Sequence, residues 1–253
     1  MFLLAKNYSP SINTIGWYVS TKLDGVRAIW NGKQLLSRNG NVFAAPDYFI
    51  KSLPKDVMID GELFIGPKQF SETVSIVKSF NDKGWSKIRF VAFDLPSSKE
   101  RVEGRWNQLK KLVEQVGKPL EYMPQYELKD PNLLYVLLDK VLEQGNEGLM
   151  LRKPRSFYEG KRSDTLLKLK KFFDAEAKVI NHIPLESSTK TNMMGALECV
   201  DEKGLVFKVG TGFNDEQRLN PPPIGSIITY KFQEKTPDNK PRFPVFVRVR
   251  KDI

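Results

Sequence analysis

One cysteine and one histidine in 253 residues remove several chemistries at the outset. Cys199, being alone, cannot form an intramolecular disulfide, so cysteine usage does not report the redox compartment. It lies in the strand-like stretch GALECV and reads as a small buried hydrophobe. With His182 as its only counterpart, a thiolate–imidazole zinc site is excluded and a histidine-based triad has little to build on. Long apolar runs are missing too. None approaches the ~20 residues that span a bilayer. MFLLAK at the start is too short for a secretory h-region and has no basic n-region. No membrane partner is therefore expected. Internal repeats and low-complexity segments are also absent.

Positive charge is abundant. The formal net charge is +10 and the pI is near 9.5. That excess points to a polyanionic partner, most often nucleic acid, although a basic face can also serve solubility alone. With 40% hydrophobic and 28% charged residues, the composition is that of an ordinary globular protein of one large or two smaller domains.

Short β-type runs dominate the first two thirds, near 16–22, 26–30, 34–37, 57–64, 88–94, 121–127, 148–152 and 165–170. Helices are expected at 46–52, 70–80, 101–116 and 131–144, the last ending at Gly145 as a C-cap. After about residue 172 the chain reads as nearly all β, with strands at 175–183, 195–201, 204–209, 225–232 and 244–250. Five short strands in that length suit a small closed barrel such as the OB-fold. The charge divides at the same place. Residues 1–172 carry 28 basic and 19 acidic side chains, a net of +9, whereas 173–253 carry 12 and 11, a net of +1. The first segment would supply most of the attraction to a polyanion.

The stretch STKLDGVR, 20–27, has two readings. Asp24-Gly25 is a strong hairpin signal, with Lys22 and Arg27 as solvated flanks. Four later stretches offer the other reading: MIDGEL (58–63), FVAFDLP (90–96), EGLMLRKP (147–154) and LLKLKK (166–171). Each is bland alone. Together they add two carboxylates for a hard cation, an aromatic ring, and Lys168 and Lys170 on one face of an alternating strand. Nucleotidyl transfer needs such a set. A lysine amine attacks an α-phosphate only if it sheds its proton more readily than a free lysine, and neighbouring cations or desolvation provide for that. Mg²⁺ or Mn²⁺ would take one or two carboxylates plus phosphate oxygens, which suits Glu62 and Glu147. Metal and lysines together would offset transition-state charge. Phe93 offers a ring for purine stacking.

In order and spacing these segments resemble the ATP-dependent DNA ligases of the covalent nucleotidyltransferase superfamily, most closely the minimal bacterial (Lig E-like) type. KLDGVR is similar to their nucleophile motif. SRNG (37–40), IDGEL, the FD pair, EGLMLRK and LLKLKK follow in family order, and GTGFNDEQR and PRFPVFVRVR resemble their OB segments. The resemblance implies an α+β fold: a nucleotidyltransferase domain of antiparallel sheets with flanking helices over 1–172, then an OB domain over 173–253. It implies a monomer that seals 5′-phosphate/3′-hydroxyl nicks in duplex DNA in three steps. AMP passes from ATP to Lys22, then to the 5′-phosphate, and is displaced by the 3′-hydroxyl. It also implies roles in DNA repair, replication and recombination.

Residue roles follow the same resemblance. Lys22 is the adenylated nucleophile, with Thr21 beside it in the nucleotide site, and Asp24 lies near the 3′-hydroxyl. Arg27 and Arg38 contact nucleotide or the nick 5′-phosphate. Glu62 and Glu147 are ribose and metal carboxylates, Phe93 stacks on adenine, and Lys168 and Lys170 hold the α-phosphate. Arg162 is a phosphate contact, and Arg242 and Arg250 orient the leaving pyrophosphate, although PRFPVFVRVR departs from the RxDK form of larger ligases. KKFFDAE is the expected hinge for closure of the OB domain. LESSTKTNMMGAL is short where the chlorella-virus enzyme carries a latch, so the protein should not fully encircle DNA, should lean on its basic first domain, and should lose affinity steeply with salt, log K falling about 0.9 per phosphate contact. By family the location is periplasmic if a leader has been trimmed, otherwise cytoplasmic. An RNA ligase, a capping guanylyltransferase, or a non-catalytic nucleic-acid-binding OB protein are the alternatives at this point.

Overall fold

The computed structural model describes residues 2–81, 83–185, 193–236 and 238–250. The chain divides into two units, one ending at Lys170 and the other beginning at Lys171.

In the first unit the strands are β1 (Leu4–Asn7), β2 (Tyr18–Lys22), β3 (Val26–Trp30), β4 (Leu35–Ser37), β5 (Ile59–Phe64), β6 (Arg89–Asp94), β7 (Leu120–Tyr122), β8 (Tyr126–Glu127), β9 (Gly148–Arg152) and β10 (Arg162–Leu169). The helices are α1 (Asp47–Lys51), α2 (Phe70–Lys78), α3 (Val102–Val116) and α4 (Leu133–Glu143), with a single 3₁₀ turn at Trp85–Lys87. Two five-stranded sheets form. One runs β1-β10-β9-β2-β8 and the other β4-β3-β5-β6-β7. Antiparallel sheets were expected, but both are mixed, because β1 pairs parallel with β10 and β6 with β7.

Each sheet buries its own core. Trp30, Ile59, Leu63, Trp85 and Phe90 pack under the second sheet with Phe49 of α1 and Leu109 of α3. Val19, Leu149, Leu151, Leu167 and Leu169 of the first pack against Leu134 and Leu138 of α4. Alternation explains the split: with period two, Leu167 and Leu169 of LLKLKK and Leu149 and Leu151 of GLMLR face the core, and their neighbours face the other way. Leu134 and Leu138 stand one turn apart on α4, which ends at Gly145 with φ +81°.

The single strand expected at 121–127 is two. Met123-Pro124 interrupts the ladder, so β7 joins one sheet and β8 the other. The N-terminal β1 went unread, since four residues show too little pattern and its partner is more than 150 residues away.

The second unit holds β11 (Phe173–Pro184), β12 (Met194–Val200), β13 (Val206–Val209), α5 (Asp215–Leu219), β14 (Ile227–Phe232), the short pair β15 (Glu234–Lys235) and β16 (Pro241–Arg242), and β17 (Val245–Val249). Its sheet runs β13-β12-β11-β14-β17. The closed barrel expected here is not completed by a ladder: the edges meet at one bridge, Thr211 to Val245, where Phe246 N–H donates to the Thr211 carbonyl at 2.9 Å. Cys199 is buried in this core among Val179, Leu197 and Ile228, and burial pushes its thiol up to about 12. The short α5 was missed, although Asn214 and Gln217 close a reciprocal capping box over it. Most of the LESSTKTNMMGAL segment lies outside the described residues.

Candidate active site

The Asp24-Gly25 pair is not a hairpin. β2 and β3 belong to different sheets, and Lys22 is the last residue of β2 before the chain crosses from one to the other. Gly25 is not needed for a left-handed backbone. A Cβ there would stand 2.5 Å from the Leu63 carbonyl oxygen and 2.8 Å from Glu62 Cγ, so the crossover lies too close to β5 for any side chain. Gly148 makes a similar approach, with a Cβ 2.3 Å from the Leu169 carbonyl oxygen.

Strand register then assembles the lysines. Lys22 pairs with Gly148, Ser20 with Met150, and Tyr18 with Arg152 across β2 and β9. Lys168 pairs with Met150 and Leu166 with Arg152 across β9 and β10. Lys22, Met150, Lys168 and Arg152 therefore share one face, opposite the leucine core. Glu147, immediately before β9, bridges two cations: Lys22 Nζ donates to one carboxylate oxygen and Lys170 Nζ to the other. Burial works against the Glu147 charge, but the two lysines outweigh it and hold the carboxyl below its usual range. Desolvation lowers Lys168 and Lys170, and mutual repulsion with Lys22 adds to it.

A cavity of about 250 Å³ opens on this face, bounded on the other side by residues of the second sheet, among them Glu62 and Phe93. Burial, ahead of every charge near it, pushes the Glu62 carboxyl up to about 7. Thr21, Lys22, Arg27, Arg38, Arg162 and Lys168 also line the cavity. Glu147 and Lys170 reach it through the Lys22 contact. Asp24 is buried at 8% exposure, and its charge is felt at Lys170. Arg242 and Arg250 belong to the second unit, where Arg242 stacks on Phe243 at 5.0 Å and Arg250 pairs with Glu176 at 2.6 Å.

Beneath the cavity lies an ion network that the sequence did not disclose. Arg27 grips fully buried Asp60 with Nε at 3.0 Å and Nη2 at 2.6 Å, and Tyr158 donates to the same carboxylate at 2.7 Å. Burial lowers the Arg27 pKa, but the attraction of Asp60 outweighs it and raises it overall. The Arg27 guanidinium lies between the rings of Phe2 and Phe93, at 4.9 and 5.4 Å. Asp94, next to Phe93 and fully buried, accepts two bonds from Arg105 and pairs with Arg152 at 3.1 Å. Leu4, Met123, Gln125, Met150 and Arg152 are lining residues not anticipated. For Met150 and Arg152 the signal was present, since they alternate with leucines in EGLMLRK, in phase with the lysines. For Leu4 there was none.

No cluster of three or more potential metal-ligating side chains occurs among the described residues. Glu62 and Glu147 are two carboxylates whose charges act on one another and on Lys22. That donor set fits a hard cation that completes its shell with water and phosphate oxygens.

Comparison with known proteins agrees with this geometry. A family model described as "ATP dependent DNA ligase domain" matches residues 3–170, and one described as "DNA ligase OB-like domain" matches 188–250. A DNA ligase of Haemophilus influenzae (strain ATCC 51907 / DSM 11121 / KW20 / Rd) is 44% identical over 237 residues, covering 93% of this chain and 87% of its own. A solved structure from a structure–function study of Lig E DNA ligases, described as binding DNA with a minimal scaffold, superimposes with a TM-score of 0.91 at 43% identity over 98% of both chains. The chlorella virus DNA ligase–adenylate follows with a TM-score of 0.58 at 27% identity, again over 98% of each. These matches set aside the RNA-ligase, capping and non-catalytic alternatives. With a nucleotidyltransferase unit followed by an OB unit, and ATP and DNA as substrates, this chain belongs to the ATP-dependent DNA ligases, in their minimal Lig E type.

Proposed function

We propose that Lys22 carries the AMP. The observation that supports it most is the meeting of Lys22, Glu147 and Lys170 at one end of a cavity that has Phe93 in its wall. The Lys22 amine attacks the α-phosphorus of ATP. The P–N bond forms, the bond to the β-phosphate oxygen breaks, and pyrophosphate leaves. A 5′-phosphate oxygen at a nick then takes the AMP from Lys22, and the 3′-hydroxyl displaces it to form the phosphodiester. Lys168 and Lys170 hold the α-phosphate, Phe93 stacks on the base, and Thr21, Arg27, Arg38 and Arg162 border the nucleotide and nick phosphate. Asp24, close to Lys170, is placed for the 3′-hydroxyl step. Glu62 and Glu147 would hold the divalent cation, Mg²⁺ or Mn²⁺, which supplies charge neutralisation on the phosphoryl oxygens. Arg242 and Arg250 act on the pyrophosphate, with KKFFDAE as hinge. The domain border at 172, the monomeric state, and a periplasmic residence if a leader was trimmed or a cytoplasmic one otherwise, belong to the same reading.

Incubation with α-phosphate-labelled ATP and Mg²⁺, without DNA, tests it. The expected result is acid-stable label on the wild-type protein, none on Lys22→Ala, and none from GTP. A wild-type protein that takes no label, and holds no AMP as purified, sinks the assignment.

A further inference from the structure

The segment from Phe2 to Tyr8 has no role in the chemistry above, yet it touches the cationic wall of the cavity residue after residue. The Phe2 ring lies 4.9 Å from the Arg27 guanidinium. Leu3 N–H donates to the Tyr158 hydroxyl at 3.1 Å, and that hydroxyl donates to Asp60, the carboxylate that Arg27 grips. Leu4 N–H donates to the Lys161 carbonyl at 2.9 Å, and the Ala5 carbonyl accepts from Arg162 Nη1. Lys6 and Asn7 pair with Leu167 and Lys168, and Tyr8 N–H donates to the Lys168 carbonyl at 3.0 Å. The ladder passes over the residues between Ser163 and Leu167, so the short β1 reaches all the way from Arg162 to Lys168.

Arg27 is where this segment bears on the substrate. Its Nε and one Nη2 N–H go to Asp60, at 3.0 and 2.6 Å. Its other N–H groups have no acceptor among the described residues, in a side chain that lines the cavity. A guanidinium is flat, so those spare donors point wherever its plane points. A bidentate grip fixes one edge of that plane but lets it tilt. Rings stacked against it remove the tilt, and Arg27 has two of them, Phe2 at 4.9 Å and Phe93 at 5.4 Å. Phe93 already belongs to the cavity wall. Phe2 does not: it lines a neighbouring groove that shares Leu4 and Arg38 with the cavity. Whatever Phe2 does for a nucleotide, it does through Arg27.

We propose that Phe2 is a positioning residue for the nucleotide site: its ring holds the Arg27 plane so that the unspent N–H groups meet oxygen atoms of the bound nucleotide. This rests on the ATP-site reading given above. The strand that Phe2 leads into acts likewise on Arg162, through the Ala5 carbonyl. The N-terminal strand thus sets two of the cations that border the cavity, although it lies far from both in sequence.

Calorimetric binding of an ATP analogue with a methylene bridge between the α- and β-phosphates, in the presence of Mg²⁺, tests the role. The analogue cannot release pyrophosphate, so affinity is read without turnover. Phe2→Leu keeps apolar bulk and lacks the ring face, whereas Phe2→Tyr keeps the ring. Phe2→Leu should bind the analogue about 3–30-fold more weakly, the scale of a cation–π contact, and its KM for ATP in the labelling reaction should rise by the same factor. Phe2→Tyr should match the wild type in both. In an Arg27→Lys background, where the flat fork is gone, Phe2→Leu should cost less than about twofold. Where Phe2→Leu does not fold, Phe2→Met takes its place. A Phe2→Leu protein that binds like the wild type would overturn the inference. So would a loss that Phe2→Tyr shares, or one that is undiminished in the Arg27→Lys background. A wild-type protein that neither binds the analogue nor takes label from ATP refutes the ATP-site reading instead, so the two failures are distinct.

Discussion

The two sheets of the first unit bring opposite chemistry to one cavity. From the β1-β10-β9-β2-β8 sheet come Lys22, Lys168, Arg152 and Arg162, with Lys170 just beyond its end. From the β4-β3-β5-β6-β7 sheet come Glu62 and the Phe93 ring, over buried Asp60 and Asp94, with Arg27 neutralised against Asp60 and Arg38 just past the end of β4. Neither set is comfortable alone. Desolvation, with repulsion from the neighbouring cations, lowers Lys168 and Lys170, and Glu62 is pushed up by burial. One carboxylate, Glu147, is on the cationic side, and it is held between two of the lysines. The difference teaches that a site for a polyphosphate and a cation can be left electrostatically unfinished where buried ion pairs, Arg27 with Asp60 and Arg105 with Asp94, hold the framework beneath it.

The largest effect should come from breaking a buried ion network. Asp94→Ala leaves Arg105, wholly buried, and Arg152 without a carboxylate. A loss of about 3–5 kcal/mol is expected on removal of one partner of a buried pair, read by urea unfolding; a loss below 1 kcal/mol would mean that the network is dispensable. Phe93→Ala removes the ring instead. Its KM for ATP in the labelling reaction should rise about tenfold to a hundredfold, as expected for loss of base stacking, with little change in the label reached at saturation.

Glu62→Gln should act with the opposite sign on stability. Below pH 4.5, the ordinary value, the carboxyl is protonated in both folded and unfolded chains and the variant matches the wild type. Between there and about 7 the unfolded chain ionises while the folded one keeps its proton, so the wild type loses stability as pH rises. At pH 8 the variant should be more stable by about 1–3 kcal/mol; a variant that is less stable there would show that the Glu62 charge is welcome. The smallest effect is expected at Lys6, whose pair with Asp164 at 2.6 Å is exposed. Lys6→Ala should change thermal unfolding by less than about 1 kcal/mol.

How much of this was legible follows from sequence distance. Lys22, Glu62, Phe93, Glu147 and Lys168 could be singled out because their short stretches, each bland alone, together supply a lysine, carboxylates and a ring in one recurring order. Alternation in LLKLKK and EGLMLRK carries enough to put their polar residues on one face. The Asp94–Arg105–Arg152 network could not be read, because Arg105 looks like one more cation in the Arg- and Lys-rich helix at 101–116, and nothing local says that it is buried. β1 failed for a similar reason: its strand character comes from β10. The hairpin reading of Asp24-Gly25 failed because a close approach and a tight turn call for the same residue.

The crossover after Lys22 also sets a mechanical limit. Leu23, Asp24 and Gly25 are all the chain between the end of β2 and the start of β3. Four Cα steps reach at most about 14 Å when fully stretched. The two walls are thus leashed together at the nucleophile, as jaws are at their pivot. The gap at that end cannot widen beyond the leash, and Met123, Pro124 and Gln125, all the chain between β7 and β8, tie the same two sheets a second time near Tyr18, so the separation of the walls is limited at both ends of β2.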